Sequence, residues 1–316
     1  MRMRDLAPIL LAALLLPGCG RDQAAGPRRL VVGFSQIGAE SSWRVAETES
    51  VRSEAARRGI DLKLADAQGK MEGQIAALHS FLAQKVDAVL LAPKQKTGFE
   101  PALKELAAAG IPVVLLDRGL DCDPSLYATL IASDFTAEGR MAGEWLAAHT
   151  QGEVRVAELE GTAGSDPAIE RQRGFREVLA RHGRIQVVKS LDGQFELPKG
   201  KEAMEAILKA EQNRIDAVYA HNDDMALGAI QALEAAGLRP GEGVKVISVD
   251  ATKGAFDALV EGKLSCAVEC SPLLGPLAFD AVERLRRGEK LEKRTTVPDR
   301  VFDASNAAAE RPNRKY

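Results

Sequence analysis

The sequence predicts an α/β protein made of two Rossmann-like lobes, each a parallel sheet covered by helices, joined by a hinge. Three observations predict it. Short, wholly apolar runs alternate with amphipathic stretches along most of the chain, the pattern of parallel strands buried on both faces and linked by helices. The 316 residues suit about two domains. An internal echo splits the pattern in half. Val86-Asp87-Ala88-Val89 is followed by Ala109-Gly110-Ile111 and a strand ending at Asp117, and Ile215-Asp216-Ala217-Val218 by Ala236-Gly237-Leu238 and a strand ending at Asp250. Both halves read strand, helix, Ala-Gly cap, strand ending in Asp. A duplicated unit explains this better than chance likeness between common α/β pieces.

Ahead of this pattern stands a leader. Arg2 and Arg4 are basic, and residues 6–16 form an apolar run too short to span a bilayer. Leu16-Pro17-Gly18-Cys19 resembles the bacterial lipobox, in which the cysteine carries a diacylglycerol. Residues 1–19 are expected to be a signal peptide ending at a lipidated Cys19, with ordinary cleavage nearby as the alternative. The Gly, Ala and charged residues of 20–29 read as a tether. The expected location is the periplasm or cell envelope, with membrane contact only through that anchor.

The elements follow in order. Strands are predicted over 30–34, 62–65, 88–91, 113–116 and 128–132, with helices over 43–58, 72–84 and 99–109. Gly59, and Gly110-Ile111-Pro112, supply the stops after the first and third helices. The second half predicts strands over 154–159, 187–191, 217–220 and 244–249, with helices over 168–182, 199–211, 224–236 and 254–261. Lobe boundaries are expected at 30–133 plus 270–296 for the first lobe and 134–269 plus 297–316 for the second, hinged by crossing strands.

Composition narrows the function. Lys and Arg number 42 against 45 Asp and Glu, and no long basic run interrupts that balance, which argues against a nucleic-acid partner. With Cys19 lipidated, Cys122, Cys266 and Cys270 remain, so at most one disulfide forms. Cys266 and Cys270 fall roughly 13 Å apart along one predicted strand, too far to bond each other. The four histidines are scattered and no C-x-x-C occurs, so neither a metal nor another cofactor is expected. No G-x-S-x-G elbow and no P-loop occurs. Gly161-Thr162-Ala163-Gly164 resembles a fragment of a dinucleotide fingerprint but lacks its spacing.

In open parallel sheets ligands bind beyond the carboxyl ends of the strands, so the residues there are the candidates. Glu40, Ser41, Ser42, Trp43 and Arg44 follow the first strand. Asp117 and Arg118 follow the fourth. Asn222 and Asp250 follow strands of the second half. Carboxylates accept from adjacent hydroxyls, guanidinium forks donate, Asn does both, and an indole face packs on ring C–H groups. This chemistry suits a small polyol held between two lobes. Each residue also has a plainer role open to it. Trp43 could be core, Asp117 could cap a loop and Asp250 a helix. Glu40 could be a solvated loop charge, and Arg44 could pair with Glu47 or Thr48 on its own helix.

At these residues the chain resembles the ribose/galactose-type sugar-binding proteins of ABC importers, with the type I periplasmic binding protein fold, and within them the galactofuranose-binding members. The motifs are Val32-Gly33-Phe34-Ser35-Gln36, Ser42-Trp43-Arg44 with Ala46-Glu47-Thr48, Leu115-Leu116-Asp117-Arg118, and Val218-Tyr219-Ala220-His221-Asn222-Asp223-Asp224-Met225. The resemblance implies that Glu40 to Arg44 line a sugar site and that Asp117 and Arg118 clamp hydroxyls. It also implies that Arg171 reaches in from the other lobe, with Asn222 and Asp250 completing that side. Phe135 stands where the family commonly has Asn, and Glu269-Cys270 where Gln is frequent. The implied partners are one neutral, galactofuranose-like monosaccharide and an ABC permease, with the receptor a monomer. Acids Glu40, Asp117 and Asp250 match Arg44, Arg118 and Arg171 in number, which fits a neutral sugar better than an acid or phosphate. A sugar-sensing lipoprotein and an exported sugar-processing enzyme are the alternatives. A sugar-dependent repressor shares the fold, but its DNA-binding helices would stand where the leader does.

Overall fold

The computed structural model describes residues 28–316. The signal peptide, Cys19 and residues 20–27 lie outside the described residues. Two six-stranded sheets organise the rest. The first contains β1 (Val31–Gln36), β2 (Asp61–Asp66), β3 (Ala88–Leu91), β4 (Val113–Leu116), β5 (Thr129–Ser133) and β11 (Arg294–Val297), in the order β11-β5-β4-β3-β1-β2, all parallel. The second contains β6 (Val154–Glu160), β7 (Ile185–Asp192), β8 (Ala217–Ala220), β9 (Lys245–Asp250), β10 (Cys266–Glu269) and β12 (Val301–Asp303), in the order β12-β10-β9-β8-β6-β7. Only β12 runs antiparallel, against β10. Counted from its own first strand, each sheet has the same doubly wound order, with a switch point where the chain reverses direction across the sheet.

Helices α1 (Ser42–Arg57), α2 (Met71–Gln84), α3 (Glu100–Ala108) and α9 (Gly275–Arg286) go with the first sheet. Helices α4 (Phe135–Ala148), α5 (Asp166–Leu179), α6 (Leu197–Ala210), α7 (Asp223–Ala235) and α8 (Lys253–Val260) go with the second. The chain passes between the sheets after β5, after β10 and between β11 and β12. The apolar runs are central strands for a simple reason. Every residue of β3 and β4 is buried, and each Val or Leu so buried contributes roughly 1.5–3 kcal/mol. Cys122, Cys266 and Cys270 are free thiols, and Cys270 lies just past β10 rather than within it. Among the described residues no helix is long and apolar enough to cross a membrane.

Two long helices, α4 and α9, have no counterpart in the sequence reading, nor does the single turn of helix over Ala307–Glu310. In α4 the internal Gly139 and Gly143 depress helix propensity and blur the apolar period. Their role is contact. A Cβ on Gly139 would lie 2.1 Å from the Arg171 carbonyl oxygen, and one on Gly174 of α5 would lie 2.0 Å from the Thr136 carbonyl oxygen. The two backbones therefore touch, and this crossing sets Glu138 on α4 beside Arg171 on α5. In α9, Gly275 meets the Ser50 carbonyl of α1 in the same way, at 2.2 Å. Gly139→Ala is expected to lower the unfolding free energy by about 1–3 kcal/mol, the usual cost of overpacking, as read by urea denaturation. A variant as stable as the parent would mean that the crossing relaxes without strain.

Candidate functional site

The turns after the strands of both sheets meet around a small cavity of about 20 Å3, well below the roughly 300–1,000 Å3 usual for ligand pockets, so the lobes are drawn together over it. From the first lobe it is lined by Glu40 and Ser41 after β1, Trp43 and Arg44 in the first turn of α1, and Asp117 and Arg118 after β4. From the second come Pro167 and Arg171 of α5, Phe195 after β7, Asn222 after β8 and Asp250 at the end of β9. The structure thus gathers nine of the ten predicted binding residues into one space. The tenth, Ser42, is excluded from it. Its backbone N–H and hydroxyl both donate to Asp224 Oδ2, at 3.1 and 2.8 Å, because at the start of α1 it faces α7 of the opposite lobe.

Three guanidinium groups dominate the cavity, each below 5% exposed. Arg44 is met by Glu40 at 3.1 Å, Glu47 at 2.6 Å and Asp117 at 2.7 Å. It therefore pairs with Glu47 on its own helix and also across to β4. Arg118 lies 3.4 Å from Asp117 and 3.8 Å from Glu40, donates to the Lys94 carbonyl at 3.2 Å, and stacks over the Phe195 ring. Arg171 binds Glu138 at 2.7 Å and the His221 carbonyl, and lies 3.5 Å from Asp250. It also covers the Phe135 ring, which gives that departure from the family pattern a packing role.

Burial and pairing act against each other on these groups. Burial disfavours charge on Arg44 and Arg171, yet the surrounding carboxylates outweigh it and raise both well above the ordinary arginine value. Arg118 goes the other way. Burial, with Arg44 nearby, pulls it down to about 10. Burial also pushes Glu40 up, but Arg44 and Arg118 prevail and hold it below its usual range. Glu47, Glu138 and Asp250 are raised, burial being the first cause in each. The expected charge balance therefore needs correction. Glu47 and Glu138 stand behind the three arginines, so five carboxyls face three guanidiniums.

Backbone strain marks the two central acids. Asp117 has φ of 64° and Asp250 of 117°, left-handed values that non-glycine residues rarely adopt and that cluster at functional sites. Asp250 is not a helix cap. That role belongs to Thr252, whose hydroxyl accepts from the Ala255 N–H. Asn222 does cap its helix, accepting from the Met225 N–H while its amide donates to the Phe195 carbonyl. It therefore brings one spare N–H to the cavity rather than a whole carboxamide. Trp43 is both core and wall, with its indole N–H donating to the Cys270 carbonyl at 2.6 Å and its ring under Arg44.

Sequence reasoning missed Phe195, Pro167 and Glu138, while the Arg44–Glu47 pair it named as Arg44's plainer role is present. The glycine-rich turn carried a signal for Phe195. A Cβ on Gly161 would lie 1.9 Å from the Phe195 ring, so that glycine serves aromatic packing rather than a phosphate. Away from the cavity the lobes also touch directly. Asp166, at the start of α5, receives Lys96 at 2.7 Å and the Gly119 N–H at 3.0 Å, and Asp224 receives Ser42.

The profile of the periplasmic binding protein domain matches residues 32–290. The chain belongs to the periplasmic binding protein family. The galactofuranose-binding protein YtfQ of Escherichia coli (strain K12) is 44% identical to this binding protein over 290 residues, 90% of the chain and 91% of the relative. The periplasmic binding component of the arabinose ABC transporter from Shewanella sp. ANA-3, solved with α- and β-L-arabinofuranose, has a TM-score of 0.88 at 48% identity, covering 90% of this chain and 95% of its own. A structure from Mycobacterium smegmatis in complex with β-D-fucofuranose also has a TM-score of 0.88, at 46% identity over 91% of this chain and 95% of that one. These matches bear out the two-lobed α/β fold and the resemblance to sugar-binding members. The protein is a ligand-binding periplasmic protein.

One buried acid near the cavity gives the fold a pH dependence. Asp223, in the first turn of α7, accepts from Ser248, the Thr252 N–H and the Thr252 hydroxyl, yet burial pushes it up to about 7. In the unfolded chain an aspartate titrates near 4. Between about pH 4 and 7 the native state therefore holds a proton that the unfolded state has lost, and stability falls as pH rises, by up to about 1.4 kcal/mol per unit. Asp223→Asn is expected to flatten the fall in melting temperature over this window. An unchanged slope would place the proton elsewhere.

Proposed function

We propose that this protein captures one neutral sugar, in its five-membered ring form, between its lobes and delivers it to the permease of an ABC importer. The observation that carries this reading is the cavity itself. Arg44, Arg118 and Arg171 with Asp117 and Asp250 converge there from both lobes, between the Trp43 and Phe195 rings. Carboxylates accept from sugar hydroxyls and guanidinium forks donate to them. Glu40 Oε2 and Arg118 Nε have no hydrogen-bond partner within the described residues, so a ligand has something to complete. The furanose form is supported by relatives whose names and complexes carry galactofuranose, L-arabinofuranose and D-fucofuranose.

Residues 30–133 with 270–296, and 134–269 with 297–316, would then move as two bodies about the three crossing segments, the sugar favouring the closed form by touching both. The role is transport rather than catalysis. Asp117 is tied to two guanidiniums, which suits a fixed acceptor better than a general acid. Residues 1–19 would direct export, Cys19 would hold the protein at the membrane surface by lipid, and the receptor would act as a monomer.

The test is a thermal-shift screen with neutral pentoses and hexoses, including galactose, L-arabinose and D-fucose. A ligand at a hundred times its Kd adds about 2.7 kcal/mol of stability. A clear rise is expected for at least one sugar able to adopt the furanose form. Asp117→Ala and Arg118→Ala are each expected to abolish the rise while keeping the parent far-UV circular dichroism. No rise with any sugar, or a rise that survives both substitutions, would refute the site.

A further inference from the structure

A second space adjoins the cavity across its outer wall. Glu40 and Arg118 also line this wider space of about 530 Å3, between the turns after β1, β2 and β3 of the first lobe and those after β6 and β7 of the second. Both lobes present the same device to it. After β2, Asp66 Oδ1 accepts from the Gln68 N–H at 2.8 Å, and Gln68 takes the left-handed φ of 50°. After β7, Asp192 Oδ1 accepts from the Gln194 N–H at 2.7 Å, and Gln194 takes φ of 58°. These strands hold equivalent places in the two sheets, so the turns are paired by the internal duplication. Each holds a carboxamide at the chamber, and neither carboxamide makes a hydrogen bond among the described residues.

The chemistry of the chamber is that of a polyol site. A carboxamide donates and accepts, as a sugar hydroxyl does. Thr162 adds a hydroxyl, and the acids Glu40, Asp66 and Glu196 outnumber Lys94 and Arg118, which disfavours an anionic occupant. The chamber and the inner cavity share Arg118 and Glu40 as a common wall, and each of these lining residues has a buried polar atom without a hydrogen-bond partner among the described residues. A substituent on a sugar seated inside would reach the chamber by parting the Arg118–Glu40 pair, which is long at 3.8 Å.

We propose that the outer chamber is a second sugar subsite, in which Gln68 and Gln194 grip the hydroxyls of the distal unit of a furanose-containing disaccharide. This rests on the furanose reading of the inner cavity and extends the ligand class from a free monosaccharide to a short furanoside.

The experiment is calorimetric titration of the full-length protein with galactose and with a β-linked digalactofuranose. The disaccharide is expected to bind within about tenfold of the monosaccharide or tighter. The variant carrying Gln68→Gly and Gln194→Gly removes both carboxamides, and glycine accepts the left-handed turns without strain. It is expected to lose about tenfold or more on the disaccharide, the worth of one or two neutral hydrogen bonds. Its affinity for the monosaccharide should stay within about twofold. A disaccharide bound more than about a thousandfold more weakly than galactose, or a variant that weakens both sugars alike, overturns the subsite. Binding of neither sugar by the parent instead overturns the reading on which the subsite rests.

Discussion

Three guanidinium groups are held nearly out of water where the two lobes meet, and an unpaired buried charge costs several kcal/mol. That constraint reaches through much of the structure. Arg44 is satisfied only if α1, the turn after β1 and the turn after β4 come together, since Glu47, Glu40 and Asp117 sit on those three elements. Arg171 is satisfied only if α4 and α5 cross at backbone contact and the ends of β8 and β9 lie beside them. The glycines of α4 and α5 serve this crossing. The left-handed φ of Asp117 and Asp250 is local strain carried at the two acids that must point into the cavity.

The same pairing accounts for the ligand class. Five carboxyls around three guanidiniums leave no room for a further negative charge. Burial shifts Glu47, Glu138 and Asp250 upward, which disfavours the charged form of each. A neutral polyol then finds acceptors and donors already fixed in place by ion pairs, so little ordering entropy is lost on binding. Arg118 differs from its neighbours. Its pairs are longer, its Nε makes no hydrogen bond among the described residues, and its charge is the least favoured of the three. It is the guanidinium with most to gain from a ligand.

Much of this was legible in the sequence, for reasons particular to α/β architecture. Apolar runs such as Ala88–Leu91 and Val113–Leu116 can only be buried strands when helices flank them, and ligands lie past strand ends. Reading the residue after each strand therefore found Asp117, Arg118, Asn222 and Asp250. Periodicity and strand-end position could not tell which side of a turn a residue faces. Ser42 lies next to Trp43 in sequence but points across to Asp224 instead of into the cavity. Phe195 was hidden because a left-handed turn after β7 aims it inward, and no local pattern announces such a turn in a phenylalanine. Helix α4 was hidden by the glycines that its tight crossing requires. Glu138 was missed because second partners of a buried arginine come from packing, not from strand ends.

Duplication ties these points together. Each lobe repeats one strand order, ends a central strand in a strained aspartate, and offers a left-handed glutamine turn toward the shared cleft. The account stands on charge matching in that cleft, and a paired calorimetric titration of galactose and galacturonate at one pH tests it most directly. The two sugars differ chiefly by one carboxylate. The account predicts that the uronate binds at least about a hundredfold more weakly, the scale of one unfavourable buried charge. A uronate that binds more tightly than the neutral sugar would contradict it.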